Sequence, residues 1–74
     1  MNTLQIDTPT ITLGQLLQLV GVIETGGQAK WFLQEQAVFV NGEVETRRGR
    51  KIKDGDFILV PGAGRFTVES DMKA

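Results

Sequence analysis

No cysteine and no histidine occur among the 74 residues of this chain, so neither a disulfide nor the usual zinc ligands can brace it. An apolar core must hold it alone. At this size burial leaves about 5 kcal/mol of net stability or less, and chains divide into several cores only at about three times this length. One domain spanning residues 1–74 is expected. Hydrophobic residues at 41% and charged residues at 23% are ordinary globular values and exclude a disordered or fibrous chain. The longest apolar run, residues 57–61, falls far short of the roughly 20 residues a membrane span needs. The start, Met1-Asn2-Thr3-Leu4-Gln5, has neither a charged n-region nor an h-region. A cytoplasmic protein without a membrane partner is expected.

The residue types present also restrict chemistry. Without His, Cys or Tyr, and with one Ser at Ser70, no Ser-His or Cys-His nucleophile pair can be assembled. Asp54 and Asp56 are the closest carboxylate pair, but the glycine between them makes Asp54-Gly55 a turn. Gly62-Ala63-Gly64 continues as Arg65-Phe66-Thr67 and lacks the third glycine of a dinucleotide fingerprint. The chain is therefore expected to be no enzyme, with no cofactor, no metal and no small-molecule substrate.

Caps and periodicity predict two short helices. Thr12-Leu13-Gly14-Gln15 has the spacing of a capping box, and Leu13, Leu16, Leu17 and Val20 follow on one face, with Gly21 as the stop. This predicts a helix over 13–20. Thr25-Gly26-Gly27-Gln28 repeats the device, and Ala29, Phe32, Leu33 and the stem of Gln36 share a face, predicting a second helix over 26–36. The rest reads as strand and turn. Val38-Phe39-Val40, the Asn41-Gly42 turn and an inward Val44 predict a hairpin over 38–46. Asp54-Gly55 leads into Phe57-Ile58-Leu59-Val60, and Pro61-Gly62-Ala63-Gly64 turns that strand towards Arg65-Phe66-Thr67-Val68. Thr3-Leu4-Gln5-Ile6 adds an edge strand, and residues 69–74 read as a flexible, solvated tail. The expected class is α+β: two short helices packed on a small, mostly antiparallel sheet of four to five strands.

The net charge of -1 hides a patch. Residues 1–46 carry one cation, Lys30, whereas Arg47, Arg48, Arg50, Lys51 and Lys53 place five in seven positions. Local clustering sets the field within a Debye length of about 8–10 Å. Cations gathered on a loop between strands point to a polyanion, and arginine's planar fork, which grips phosphate and stacks on bases, points to nucleic acid. The glycines at the start of the second helix, Gly26 and Gly27, leave room for a phosphate at the positive helix end. A glycine-rich segment that merely closes the inter-helix turn fits them equally. Trp31 lies off the core face, with Gly27, Lys30 and Gln34. It can stack on an unpaired base or be covered by the outer strands, and the expectation is a ring packed on one side near Phe66 and open beside Lys30.

In order and spacing these segments resemble the S4 RNA-binding domain, over residues 12–60. Within that family the chain is similar to the small stand-alone YaaA/YbcJ-like type, through Gly27-Gln28-Ala29-Lys30, Glu45-Thr46-Arg47-Arg48 and the added strand in 61–68, Phe66-Thr67-Val68. The resemblance implies binding of structured RNA. It maps the family's RNA surface onto Thr25, Gly26, Gly27, Gln28 and Lys30 at the second helix and onto Arg47, Arg48, Arg50, Lys51 and Lys53, while Trp31 is a candidate contact from its place off the core face alone. Where many S4 domains carry Ser-Arg at this helix start, Thr25-Gly26 stands here, so the cap is kept and an RNA-contacting arginine is absent. The expected function is a monomeric, non-enzymatic RNA-binding protein with ribosomal RNA or ribosomal particles as partner. The rival is a protein-interaction adaptor that uses the basic loop and an open strand edge.

Overall fold

The structure, a computed structural model, describes residues 2–72. The elements run β1 (Asn2–Ile6), β2 (Thr10–Thr12), α1 (Leu13–Leu19), α2 (Gln28–Glu35), β3 (Phe39–Val40), β4 (Glu43–Val44), β5 (Lys51–Lys53), β6 (Phe57–Val60) and β7 (Gly64–Ser70). Five strands form a mixed sheet in the order β1-β7-β6-β3-β4, in which β1 runs parallel to β7 and the other pairs are antiparallel. The class is α+β, as the sequence predicts.

The first helix forms as its capping box requires. The Thr12 hydroxyl accepts from the Gln15 amide at 3.2 Å, and the Gln15 side chain accepts from the Thr12 amide at 2.9 Å. Leu13, Leu16 and Leu17 are fully buried, and Gly21 closes the helix at φ +84. A buried leucine contributes about 1.5–3 kcal/mol. The three leucines meet Ala29 and Leu33 of α2 and Val38, Val40, Ile52, Ile58, Val60 and Val68 from the strands in one core.

The second helix is shorter than predicted. It begins at Gln28, with Gly27 at the N-cap position, no side-chain cap, and an extended, exposed Gln36 behind its last residue. Gly26 and Gly27 carry the entropic cost of helical glycine, so residues 25–28 stay a turn. Half of the predicted box survives: the Gln28 side chain accepts from the Glu24 and Thr25 amides at 2.6 and 3.0 Å.

Asn41 at φ +52 and Gly42 at φ +87 make the predicted hairpin turn, and a Glu45 amide bond to the Val38 carbonyl extends the pairing. Val44, however, is 58% exposed and does not resume the inward positions, because β4 is the sheet edge and presents nothing to the core. The supposed tail is also structured through Asp71. β7 runs to Ser70, whose hydroxyl donates to the Thr8 carbonyl at 2.6 Å, and the Asp71 amide donates to the Ile6 carbonyl at 3.0 Å. Parallel pairing with β1 consumes the polar residues that look solvated in isolation. Residues 73–74 of that expected tail lie outside the described residues.

Thr10–Thr12 and Lys51–Lys53 form a separate antiparallel ladder for which neither segment carries a local signal. The basic run is thus part strand. Only residues 47–50 turn, and Ile52 plugs the core between two exposed lysines.

Candidate nucleic-acid interface

The β2-β5 ladder runs directly into the start of α1. Beyond the Thr12-Lys51 pair, the Leu13 amide donates to the Arg50 carbonyl at 2.8 Å and the Gly14 amide to the Arg48 carbonyl at 2.9 Å. These are amides that a helix start would otherwise leave unpaired. They fix the arginine turn by its carbonyls, whose partial negative charge suits the positive helix end. Gly14 is needed for the approach: a Cβ there would sit 3.4 Å from the Arg48 carbonyl oxygen and 3.5 Å from the Ala29 Cβ. An isolated glycine inside a helical pattern was the available signal for this packing.

The same approach brings the turn beside α2. A cleft of about 280 Å³ is lined by Thr12, Gly14, Gln15 and Gln18, by Gly26, and by Arg48 and Gly49. Gly26 of the segment Thr25 to Lys30 and Arg48 with Gly49 of the basic run, singled out separately in the sequence, therefore line one cleft. Thr25, Gly26, Gly27, Gln28 and Lys30 are all exposed, and the Gly26 and Gly27 amides have no hydrogen-bond acceptor among the described residues.

Glu45, absent from the candidate residues, organises the cations. Its side chain, 9% exposed, takes Arg47 at 3.1 Å and Arg50 at 2.9 Å, and its Oε2 also accepts from the Thr46 and Arg47 amides. Hydrogen bonds from the Arg47 side chain and amide, followed by Arg50, outweigh burial and hold the Glu45 carboxyl down at about 2. Glu45 raises the Arg47 guanidinium in return. The sequence signal was a carboxylate two and five residues before arginines.

Lys53 is paired with Asp56 at 3.1 Å. Burial pushes the Asp56 carboxyl up, but the Lys53 amide, Asn41 and the Lys53 ammonium together hold it below its ordinary value. Arg48 and Lys51 are exposed and make no ion pair among the described residues. Five cations against Glu45 and Asp56 leave a net of three positive charges, enough to attract a phosphate backbone.

Trp31 stands apart from this surface. It is 64% exposed and lines a groove with Glu24, Gln28, Phe32, Glu35 and residues 21–23. Phe66, the expected neighbour, is not among the residues that line this groove, whose wall is the connection between the helices.

A family profile described as S4 domain matches residues 4–69. The chain belongs to the S4 domain family. This S4 domain is 54% identical over 67 residues to a probable ribosome maturation protein, RlbA, of Bacillus subtilis, covering 90% of this chain and 94% of the relative. It is 43% identical over 54 residues to a putative RNA-binding protein, YbcJ, of Escherichia coli, covering 73% and 77% of the two chains. Among the described residues of this S4 domain, no helix is long and apolar enough to cross a membrane.

Proposed function

We propose that this S4 domain is a non-enzymatic module that binds structured RNA, with ribosomal RNA or ribosomal particles as its target, and so works in the cytoplasm. The contact surface comprises Thr25, Gly26, Gly27, Gln28 and Lys30 at the start of α2 and Arg47, Arg48, Arg50, Lys51 and Lys53 around the arginine turn. One observation carries the reading: the Gly14 amide docks the turn on the start of α1, through the Arg48 carbonyl at 2.9 Å, so that Arg48 and Gly49 line one cleft with Gly26, just ahead of α2. A phosphate in the cleft meets the free Gly26 amide on one side and Arg48 on the other. The names of the two relatives, a ribosome maturation protein and an RNA-binding protein, support the choice of polyanion.

Counterion release tests it. Three or four phosphates neutralised by this surface give a slope of about -3 in log K against log salt. Anisotropy titrations of a fluorescently labelled ribosomal RNA fragment at several salt concentrations measure the slope. A value near zero, or equal binding of a neutral polymer, overturns the reading.

A further inference from the structure

The Trp31 groove shares no lining residue with the cleft at the arginine turn. Gln28, Trp31 and Glu35 fall at i, i+3 and i+7, one stripe of the helix, whereas Lys30 is turned 100° away. Ala29, whose Cβ the docked turn approaches through Gly14, faces neither.

The groove is built rather than incidental. Its volume is about 440 Å³. Its wall, the connection between the helices, is tied to both of them. The Gln28 side chain accepts from the Glu24 and Thr25 amides, and the Gln18 side chain donates to the Glu24 carbonyl at 3.2 Å. Within this held frame an indole is 64% open to solvent, which is uncommon for so large an apolar ring.

Charge decides what fits. Glu24 and Glu35 flank the ring, neither is in an ion pair among the described residues, and no cation lines the groove. Two carboxylates repel a phosphate backbone, so a stacked RNA base would bring unfavourable charge with it. An arginine or lysine side chain meets the opposite situation: the aromatic face attracts the cation and the carboxylates pair with it. We propose that this groove is a docking site for an arginine- or lysine-bearing segment of a partner protein, anchored on Trp31 between Glu24 and Glu35. This goes beyond RNA binding: the groove meets the proposed RNA surface only at Gln28, and its anchors Trp31, Glu24 and Glu35 lie outside that surface, so one molecule can hold RNA and a cationic protein segment together.

Trp31 is the only tryptophan, so its emission reports the groove directly. The folded protein is titrated with a short arginine-glycine peptide, with its glutamate-glycine counterpart and with a single-stranded RNA oligonucleotide. The expected result is a saturable change with the arginine peptide alone. Glu24→Gln with Glu35→Gln should weaken that binding about tenfold, while Glu43→Gln with Glu69→Gln, the same charge change elsewhere, should leave it intact. The Glu24/Glu35 variant should bind ribosomal RNA as before and keep its unfolding temperature. Equal weakening by both double variants would reduce the effect to net charge and overturn the proposal. So would a Trp31 response to RNA but not to the peptide, which marks a base-stacking platform, or a response to protein concentration alone, which marks a second copy as occupant. No response to any of them overturns it as well.

Discussion

Glu45 grips Arg47 at two points, with Nε donating to Oε2 at 3.2 Å and Nη2 to Oε1 at 3.1 Å, and so sets the direction in which the basic turn projects. Its carboxyl is depressed from 4.5 to about 2 in the folded protein. A depressed acid stabilises the fold above its unfolded value and loses that contribution as pH falls through the folded one. Solvent screening at this loop leaves about 1–2 kcal/mol of it. Glu45→Gln should therefore lower the urea midpoint at pH 7, and the gap to the parent should close between pH 4.5 and about 2. A gap that is the same at every pH would show that the charge on Glu45 is not what holds the turn.

The cations divide by partner, and so should their variants. Arg48→Ala with Lys51→Ala removes two exposed, unpaired charges. RNA affinity should fall about tenfold or more at low salt and the salt slope should flatten by about 2, with the unfolding temperature unchanged. Arg47→Ala with Arg50→Ala strips both side-chain partners from the nearly buried Glu45, so stability should fall together with binding. Parallel thermal melts and RNA titrations separate the two cases.

Two glycines predict opposite outcomes. A Cβ at Gly27 meets nothing nearer than the Thr25 hydroxyl at 4.0 Å, and a carboxylate suits a helix start, so Gly27→Glu should fold normally. It should lose RNA binding, because the new charge stands beside the proposed phosphate site at Gly26. Gly14→Val, pressed against the Arg48 carbonyl, should cost about 1–3 kcal/mol and displace the turn. Circular-dichroism melts and RNA titrations measure both.

Ser70→Ala removes the hydrogen bond to the Thr8 carbonyl and leaves that acceptor without it. A loss of about 1 kcal/mol is expected in a urea titration, with RNA binding intact. No change would mean that the end of β7 contributes nothing to the sheet.

Features closed by neighbouring residues were legible in the sequence: the Thr12-Gln15 capping box, the Asn41-Gly42 turn and the Asp54-Gly55 turn all follow from local dihedral and hydrogen-bond needs. Features closed by distant residues were not. Thr10–Thr12 is a strand only because Lys51–Lys53 lies beside it, and Ser70 is buried only because β1 returns to β7. At the site, charge density located the arginine turn. Its attachment to Gly14 and the internal pairing through Glu45 required the fold. The helical wheel sets Trp31 off the core face, where the structure leaves it exposed, but a wheel carries no information on which neighbour stands beside it.

The Leu13 and Gly14 amides sit at a helix terminus, where fraying ordinarily makes protons exchange fast. Here their acceptors are the Arg50 and Arg48 carbonyls, so neither proton is released unless the turn lifts away from the core leucines. Their deuterium uptake consequently clocks the lifetime of the docked turn. Slow exchange at both would mean that the proposed phosphate-binding surface has no private opening motion and vanishes only when the whole domain does.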